Sequence, residues 1–403
     1  MSEIVLVNPD SKFLMDPRVM PPLGLLYVSA ALKKKGVKVT FVDLAGNPRG
    51  KIPKAEYYGI TATTPQYPSA KKVLKKIKGK ICIGGPHSTL SPHECLEDGF
   101  DAAVVGEGEK AIFRFLEGET GIIREPFEEN LDNIAFPDRS LVKDYHYEIN
   151  GKPAVTIMTA RGCYYGKCAF CCQCWPKIRF RSVTNVLHEL FEIRDNYGYN
   201  AVMIYDDEFF ANRKRDFQIC HYLGLLGFDW RCFSRADLIN KKVAKVAAST
   251  RCKEMLLGIE TGSPIILHNV HKGTTVQQNK KAIKTLHDNK IRVKAAMIIM
   301  LPGESKETLK ETWQFCEEME PYISAVDFTI CTPYPGSRIF EHPDRYDFQF
   351  DEEAMFSAYK GAGVKAWIPP KVWTSHLSFE EGLKFRDKFE NRFKKKKDVK
   401  FNE

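Results

Sequence analysis

Five of the twelve cysteines in this 403-residue chain, Cys163, Cys168, Cys171, Cys172 and Cys174, fall within one stretch of 12 residues, and the other seven are scattered. The C-x4-C-x2-C spacing of Cys163, Cys168 and Cys171 lets one loop ligate three corners of a cubane iron–sulfur cluster. The fourth iron is then open to a substrate or cofactor. A structural zinc would want four ligands, and Cys172 or Cys174 supplies the fourth in that reading. Cys174 is also an alternative cluster ligand. A secreted disulfide framework would spread its cysteines more evenly along a shorter chain, so the tight group predicts ligation in a reducing compartment. The opening residues Met1–Val7 carry neither a basic region nor a cleavable apolar run. No secretory signal is therefore expected, and the location expected is cytoplasmic.

Such a loop needs a rigid support, and it follows directly on an apolar run, Val155–Thr159. Further strands are expected at Ala201–Tyr205, Trp230–Ser234, Glu254–Ile259, Val293–Met300 and Ala325–Cys331, with helices between them. Val183, Val186, Leu187, Leu190 and Ile193 follow helical spacing, and Gly198 supplies a stop. A second helix begins near Ser305, with Leu309, Thr312, Trp313 and Cys316 on one face. Six strand–helix units are too few for a closed barrel. Right-handed crossovers would curve them into a partial (β/α)6 barrel, with active residues at the carboxyl-end mouth. A cysteine loop at the end of the first strand favours the cluster over zinc.

Upstream, Ile4–Val7, Val37–Asp43, Tyr58–Thr61, Ile81–Gly84 and Ala102–Val105 read as five buried strands. Helices at Leu25–Lys35, Ser69–Ile77 and Pro92–Asp98 separate them, which predicts a doubly wound, Rossmann-like α/β domain. Ligands of such sheets bind beyond the carboxyl ends of the strands. The turns Thr61–Thr64, Gly84–His87 and Gly106–Glu109 lie there. The expected division is residues 1–125 for this domain, 126–150 for a linker, 151–345 for the barrel and 346–403 for a C-terminal helical segment. In that segment Ser378-Phe379-Glu380-Glu381 is a capping box, and Leu383, Phe389 and Phe393 face one side to dock on the barrel.

Hydrophobic residues make up 43% and charged residues 28% of the chain, as in globular proteins rather than disordered ones. There is no apolar run of about 18 residues, so no membrane span is expected. The net charge of +9 is partly carried by the tail Lys394–Lys397. A solvated face accounts for it, and no nucleic-acid partner is expected.

The cysteine loop, with Phe170 between its last two cysteines, resembles the cluster loop of the radical S-adenosylmethionine (SAM) superfamily. Ile204–Phe209, Arg235–Asp237, Gly258–Ser263 and Leu301–Ser305 follow in the order that superfamily uses. Pro21–Gly24, Gly84–His87 and Gly106–Glu109 are similar to the cobalamin-binding domain fused ahead of this barrel. Together they resemble the cobalamin-dependent radical SAM enzymes, whose best-known members are methyltransferases. The chain departs from that pattern twice. The usual spacing is C-x3-C-x2-C, so one residue is inserted here, accommodated at Gly166. The histidine of the Asp-x-His-x-x-Gly cobalt-binding loop is missing, because Asp43 is followed by Leu44 and Ala45.

The resemblance implies a [4Fe-4S] cluster on Cys163, Cys168 and Cys171, and SAM contacts from Phe170, Asp206, Asp207, Glu208, Arg235 and Glu260. It implies cobalamin contacts from Leu23, Gly24, Thr61, Thr64, Gly84, Gly85, His87, Gly106 and Glu107, with cobalt base-off and without a histidine below. The expected reaction carries a methyl group from SAM through methylcobalamin to an unactivated carbon, or to phosphorus, after hydrogen abstraction by a 5′-deoxyadenosyl radical. Alternatives are a non-methylating radical reaction on the same cofactors and a zinc-stapled RNA-binding module. The partners implied are a small-molecule, lipid or peptide substrate and an electron donor such as flavodoxin or ferredoxin. Tyr334, Trp367 and Trp373 are candidates for a substrate pocket, although packing is their commoner role.

Overall fold

The computed structural model describes residues 3–11, 14, 16–143, 145–172, 174–356 and 369–393. Trp367 and the tail Lys394–Lys397 lie outside them. The chain forms two compact units, residues 1–147 with 174–181, and residues 148–173 with 182–403. Residues 126–147, read from sequence as a linker, group with the first unit. Asp138 explains this locally, since its carboxylate takes the Ser29 hydroxyl at 3.0 Å and Lys33 at 2.5 Å.

In the first unit the elements run β1 (Glu3–Asn8), α1 (Leu23–Lys34), β2 (Lys38–Asp43), β3 (Tyr57–Thr61), α2 (Tyr67–Leu74), β4 (Lys80–Gly84), α3 (Pro86–Leu90), α4 (Pro92–Glu97), β5 (Ala102–Val105), α5 (Gly108–Leu116) and β6 (Gly121–Arg124). All six strands are parallel, in the order β2-β1-β3-β4-β5-β6. The order reverses direction at β1 and β3, which is where a doubly wound sheet opens a ligand crevice beyond its strand ends. Strand β6 and helix α5 were not expected from sequence. Ala111, Ile112 and Phe115 of α5 pack on Ile4, Leu6, Ala102 and Val104. A two-residue strand, β10 (Arg179–Phe180), also belongs to this unit.

The second unit contains β7 (Glu148–Ile149), β8 (Lys152–Ile157), β9 (Ala160–Arg161), α6 (Val183–Tyr197), β11 (Ala201–Ile204), α7 (Arg213–Leu225), β12 (Asp229–Ser234), α8 (Lys241–Ser249), β13 (Cys252–Glu260), α9 (Pro264–Asn269), α10 (Val276–Asp288), β14 (Arg292–Ile299), α11 (Lys306–Met319), β15 (Ala325–Ile330) and α12 (Arg338–Glu341). Its sheet runs β15-β14-β13-β12-β11-β8-β7. Strands β8 and β11–β15 are parallel, and β7 closes the edge as an antiparallel hairpin arm. These six parallel strands are the expected partial barrel. Helix α6 stops at Gly198, which takes the left-handed conformation at φ +71°.

A short hairpin of β16 (Gln349–Phe350) and β17 (Val372–Trp373) precedes the last helix, α13 (Phe379–Phe393). The capping box at its start is formed in both directions. The Glu381 N–H donates to the Ser378 hydroxyl at 3.2 Å, and the Ser378 N–H donates to the Glu381 carboxylate at 3.1 Å. Phe389 and Phe393 then stack edge-on against Trp313, with ring centroids 5.1 and 4.8 Å away. The C-terminal helix therefore docks on α11 and β15. Among the described residues, no helix is long and apolar enough to cross a membrane.

Candidate active site

Strand β8 ends at Ile157, and the chain turns through β9 and Gly162, at φ +95°, into the cysteine loop. Cys163 is half-buried, Cys168 is buried and Cys171 is exposed. The Gly166 N–H donates to Cys163 Sγ at 3.4 Å, and the Cys171 N–H donates to the Cys168 carbonyl at 3.2 Å. Gly166 takes φ +59°, a conformation glycine adopts without a side-chain penalty, so the extra residue is absorbed in a left-handed turn. Among the described residues, no three His, Cys, Asp or Glu side chains converge tightly enough to hold a single metal ion. On a cubane, three thiolates would each bind a different iron.

Two buried cations approach Cys168. Arg235, just beyond β12, places Nη1 3.9 Å from Cys168 Sγ, and its ring neighbour is Tyr165, 4.1 Å from the guanidinium. Its other nitrogens are engaged by Asp237 at 3.0 Å, Glu208 at 3.5 Å and the Lys272 carbonyl at 2.7 Å. Arg235 therefore braces the cluster loop instead of presenting a free fork. Lys272 donates to Glu260 Oε1 at 2.6 Å, and both side chains are buried. The hydrogen bond from Cys171 holds the Cys168 thiol below its ordinary range, and the charges of Lys272 and Arg235 reinforce this against burial. Phe170 lies beneath Lys272, whose Nζ is 5.9 Å from the ring centroid.

The acidic triplet after β11 divides by position. Asp206 is buried and accepts from the Thr159 and Ala160 N–H groups and the Thr159 hydroxyl, so it ties the ends of β8 and β11 together. Asp207 points outward and is exposed. Glu208 is buried, and its Oε2 has no hydrogen-bond partner among the described residues. Burial pushes its carboxyl up to about 7 despite Arg235. A buried acceptor without a donor is costly unless a ligand satisfies it. Glu208 also lies against the Cys163 thiol and Arg235, which places it beside the cysteine loop.

Glu260 ends β13 at φ +66°, and its pair with Lys272 depends on Gly258. A Cβ at Gly258 would sit 2.5 Å from Glu260 Oε1 and 2.9 Å from Lys272 Nζ. Beyond β14, Met300 has φ +65°, and its N–H donates to the Glu304 carboxylate at 2.6 Å. Burial raises the Glu304 carboxyl to about 8. Sequence reasoning missed Lys272, since a lone lysine ordinarily marks a solvated surface. Cys172 belongs to the second unit with Tyr334, whereas Cys174 groups with the first unit, apart from the other four cysteines. Trp373 is half-buried in β17.

In the first unit, the strand ends of β1 and β3 are knitted by Gln66, whose amide donates to Ser11 Oγ at 2.7 Å, the Pro9 carbonyl at 3.2 Å and Asn8 Oδ1 at 3.3 Å. Thr61 closes β3. Thr64 Oγ1 lies 3.3 Å from His87 Nδ1. His87 is fully buried with its ring 3.8 Å from that of Tyr67, and desolvation lowers it to about 4, so it is neutral and faces inward. Its part is to pin the turn. Glu107 accepts from Arg179 at 2.9 and 3.2 Å and from the Glu128 N–H at 2.7 Å, which fully engages it inside the unit.

Gly84 has room for a Cβ, whereas Gly85 (φ +97°) and Gly106 (φ +86°) do not, because a Cβ there would meet the Thr61–Ala62 turn and Phe127. Leu23 is buried, but Gly24 is exposed with nothing within 4 Å of its missing Cβ.

The Radical SAM superfamily profile matches residues 157–316, and the B12 binding domain profile matches residues 17–116. An uncharacterised methyltransferase of Pyrococcus horikoshii is 33% identical over 366 residues, covering 80% of this chain and 78% of that protein. The anaerobic magnesium-protoporphyrin IX monomethyl ester cyclase of Rubrivivax gelatinosus is 29% identical over 369 residues, covering 80% of this chain and 66% of the cyclase. The solved radical SAM methyltransferase TsrM from Kitasatospora setae, with cobalamin and a [4Fe-4S] cluster bound, superposes with a TM-score of 0.70. The identity is 16%, over 96% of this chain and 85% of that one, so this likeness speaks for the fold. Some solved chains of this fold are longer, and this chain spans about half of their length, 53% in one case. These matches overturn the RNA-binding alternative. Cluster loop, partial barrel and corrinoid-type sheet agree with both profiles, and the chain belongs to the cobalamin-dependent radical SAM enzymes of the methyltransferase type.

Proposed function

We propose that this chain moves a methyl group from SAM, by way of a corrinoid, to an unactivated carbon or to phosphorus of its substrate. When bound, the cluster with SAM supplies the 5′-deoxyadenosyl radical that abstracts hydrogen, and cobalamin carries the methyl group. The observation that supports this reading is that buried Arg235 joins the cysteine loop to the acidic end of β11, with Nη1 3.9 Å from Cys168 Sγ and Nε 3.5 Å from Glu208 Oε1. Glu208 accepts from the SAM ammonium. Arg235 and Lys272 hold the Cys168 sulfur as a thiolate, and Phe170 keeps water from that side. Glu260 keeps Lys272 charged and in place. With SAM deuterated in its methyl group, the expected product carries three deuteriums. Production of 5′-deoxyadenosine with no label in any product would instead establish the non-methylating chemistry that the cyclase relative makes the second reading.

The corrinoid is assigned to the strand ends of the first unit, over Gly24, Thr61, Gly84 and the backbone of Gly85 and Gly106. Leu23, Thr64, His87 and Glu107 shape that rim from within. The Asp43 carboxylate is already taken by the Asn8 amide and the Ala45 N–H on one oxygen and by the Tyr145 hydroxyl on the other. No histidine follows it, and His87 is fully buried, so a bound cobalt would be expected to lack an imidazole below. Gly24→Leu is expected to cut cobalamin retention at least tenfold with unchanged cluster content and melting temperature. The cob(II)alamin spectrum of the wild-type protein should show no nitrogen splitting. Full retention in the variant, or a split spectrum, would remove this assignment.

The reading implies an external one-electron donor. It also implies a reducing, cytoplasmic setting, which fits twelve cysteines that are all free of disulfides.

A further inference from the structure

We propose that the outer face of the cluster loop in the second unit is the docking surface for an acidic one-electron carrier protein, an inference that rests on the cluster reading above. A half-open cleft of about 580 Å³ lies there, between the cluster loop, α9, the start of α10 and the start of α12. Lys167, His268, His271 and Arg338 line it and are all exposed, while no lining residue is acidic. The floor is apolar, from Tyr165, Leu267 and others, and Ile265 beside it on α9 is 57% exposed. The nearby carboxylates are turned to local tasks. Asp237 takes the Tyr164 hydroxyl at 2.6 Å, and Glu341 takes the Gly336 N–H at 3.2 Å. An apolar centre flanked by two exposed cations, Lys167 and Arg338, with no carboxylate in the lining, is the pattern that receives a protein of opposite charge and steers its encounter.

Its position is what ties this surface to electron transfer. Lys167 is the chain neighbour of Cys168, so their Cα atoms are about 3.8 Å apart. Tyr165 donates to the His271 carbonyl at 2.8 Å and stacks on Arg235, which reaches Cys168 Sγ at 3.9 Å. A carrier seated on the cleft is thus separated from a cluster ligand by one layer of side chains. The inserted residue of the cysteine loop helps build the wall. The left-handed turn at Gly166 follows Tyr165, whose ring lies flush on Gly273, where any Cβ would collide with it. In the step itself the carrier's reduced cofactor loses one electron and the cluster gains it, passing from the +2 to the +1 state. No bond forms or breaks and no proton moves.

The test is anaerobic stopped-flow reduction of the cluster-loaded full chain by flavodoxin hydroquinone, read from the bleaching of the cluster absorbance. At low salt, Lys167→Glu/Arg338→Glu is expected to be reduced at least about tenfold more slowly than wild type. Salt should slow the wild type toward the variant, and dithionite should reduce both alike. If cluster content falls in that variant, His268→Glu/Arg338→Glu, which leaves the cysteine loop untouched, should show the same slowing. Equal rates in the charge-reversed protein, a wild-type rate indifferent to salt, or no reduction by flavodoxin of a cluster that dithionite reduces, would each overturn the docking surface. A wild-type protein that assembles no cluster would instead overturn the function proposed above.

Discussion

Cys168→Ala is expected to abolish both the iron–sulfur absorbance and 5′-deoxyadenosine production while the protein stays folded. Cys168 is the buried member of the trio, flanked by Arg235 and Lys272, and two thiolates cannot hold three corners of a cubane. Truncation to alanine removes one sulfur, at a stability cost on the order of 1 kcal/mol. Cys220→Ala is the control, because Cys220 is fully buried and belongs to the barrel's hydrophobic core rather than to the cysteine loop. It should keep the full cluster. Anaerobic reconstitution followed by iron quantification and a thermal melt decides the matter. A cluster retained at wild-type level in Cys168→Ala, with product still formed, would show that the ligand set was misassigned.

Lys272→Met is expected to produce the largest loss of stability. It strips the partner from Glu260, whose carboxylate is buried 2.6 Å from the missing ammonium. Breaking a buried pair on one side costs about 3–5 kcal/mol, because the remaining charge has neither water nor counterion. Replacing both members, Lys272→Met/Glu260→Met, should restore most of that stability, since an apolar pair of similar volume carries no desolvation penalty. Urea denaturation of the two variants measures the difference. If the single variant is as stable as the double, the Glu260 carboxylate is being satisfied by something else.

The strands were legible wherever burial on both faces left an unbroken apolar run, as in Ala102–Val105 and Ala201–Ile204. β6 escaped because Ile122 and Ile123 alone, between a glycine and an arginine at a sheet edge, make no pattern. Helix α5 was hidden by Gly106-Glu107-Gly108, which reads as a turn although Ala111, Ile112 and Phe115 keep helical spacing. The C-x4-C-x2-C spacing by itself left zinc and a cluster both open, and the position of the loop at the end of the first barrel strand is what favoured the cluster. Within Asp206-Asp207-Glu208 a usable signal was present. Continuing the alternation of a strand puts Asp206 and Glu208 on one side and Asp207 on the other, which is the burial observed. Lys272 carried no such signal. It meets Glu260 only because α9 reverses the chain between them, and that reversal is a tertiary fact.

Residues 174–181 leave the second unit immediately after the cysteine loop, join the first, and hand the chain back at Ser182. Arg179 anchors this excursion, clasping Glu107 and lying between the rings of Phe127 and Trp175 at 5.2 and 5.5 Å. The two modules are therefore not consecutive beads that recombination could swap at a single junction. A gene fragment stopping at Tyr147 would encode a corrinoid carrier with Glu107 stranded and Phe127 uncovered. Inheritance of the vitamin-binding half is in this way locked to a few codons written inside the half that holds the iron.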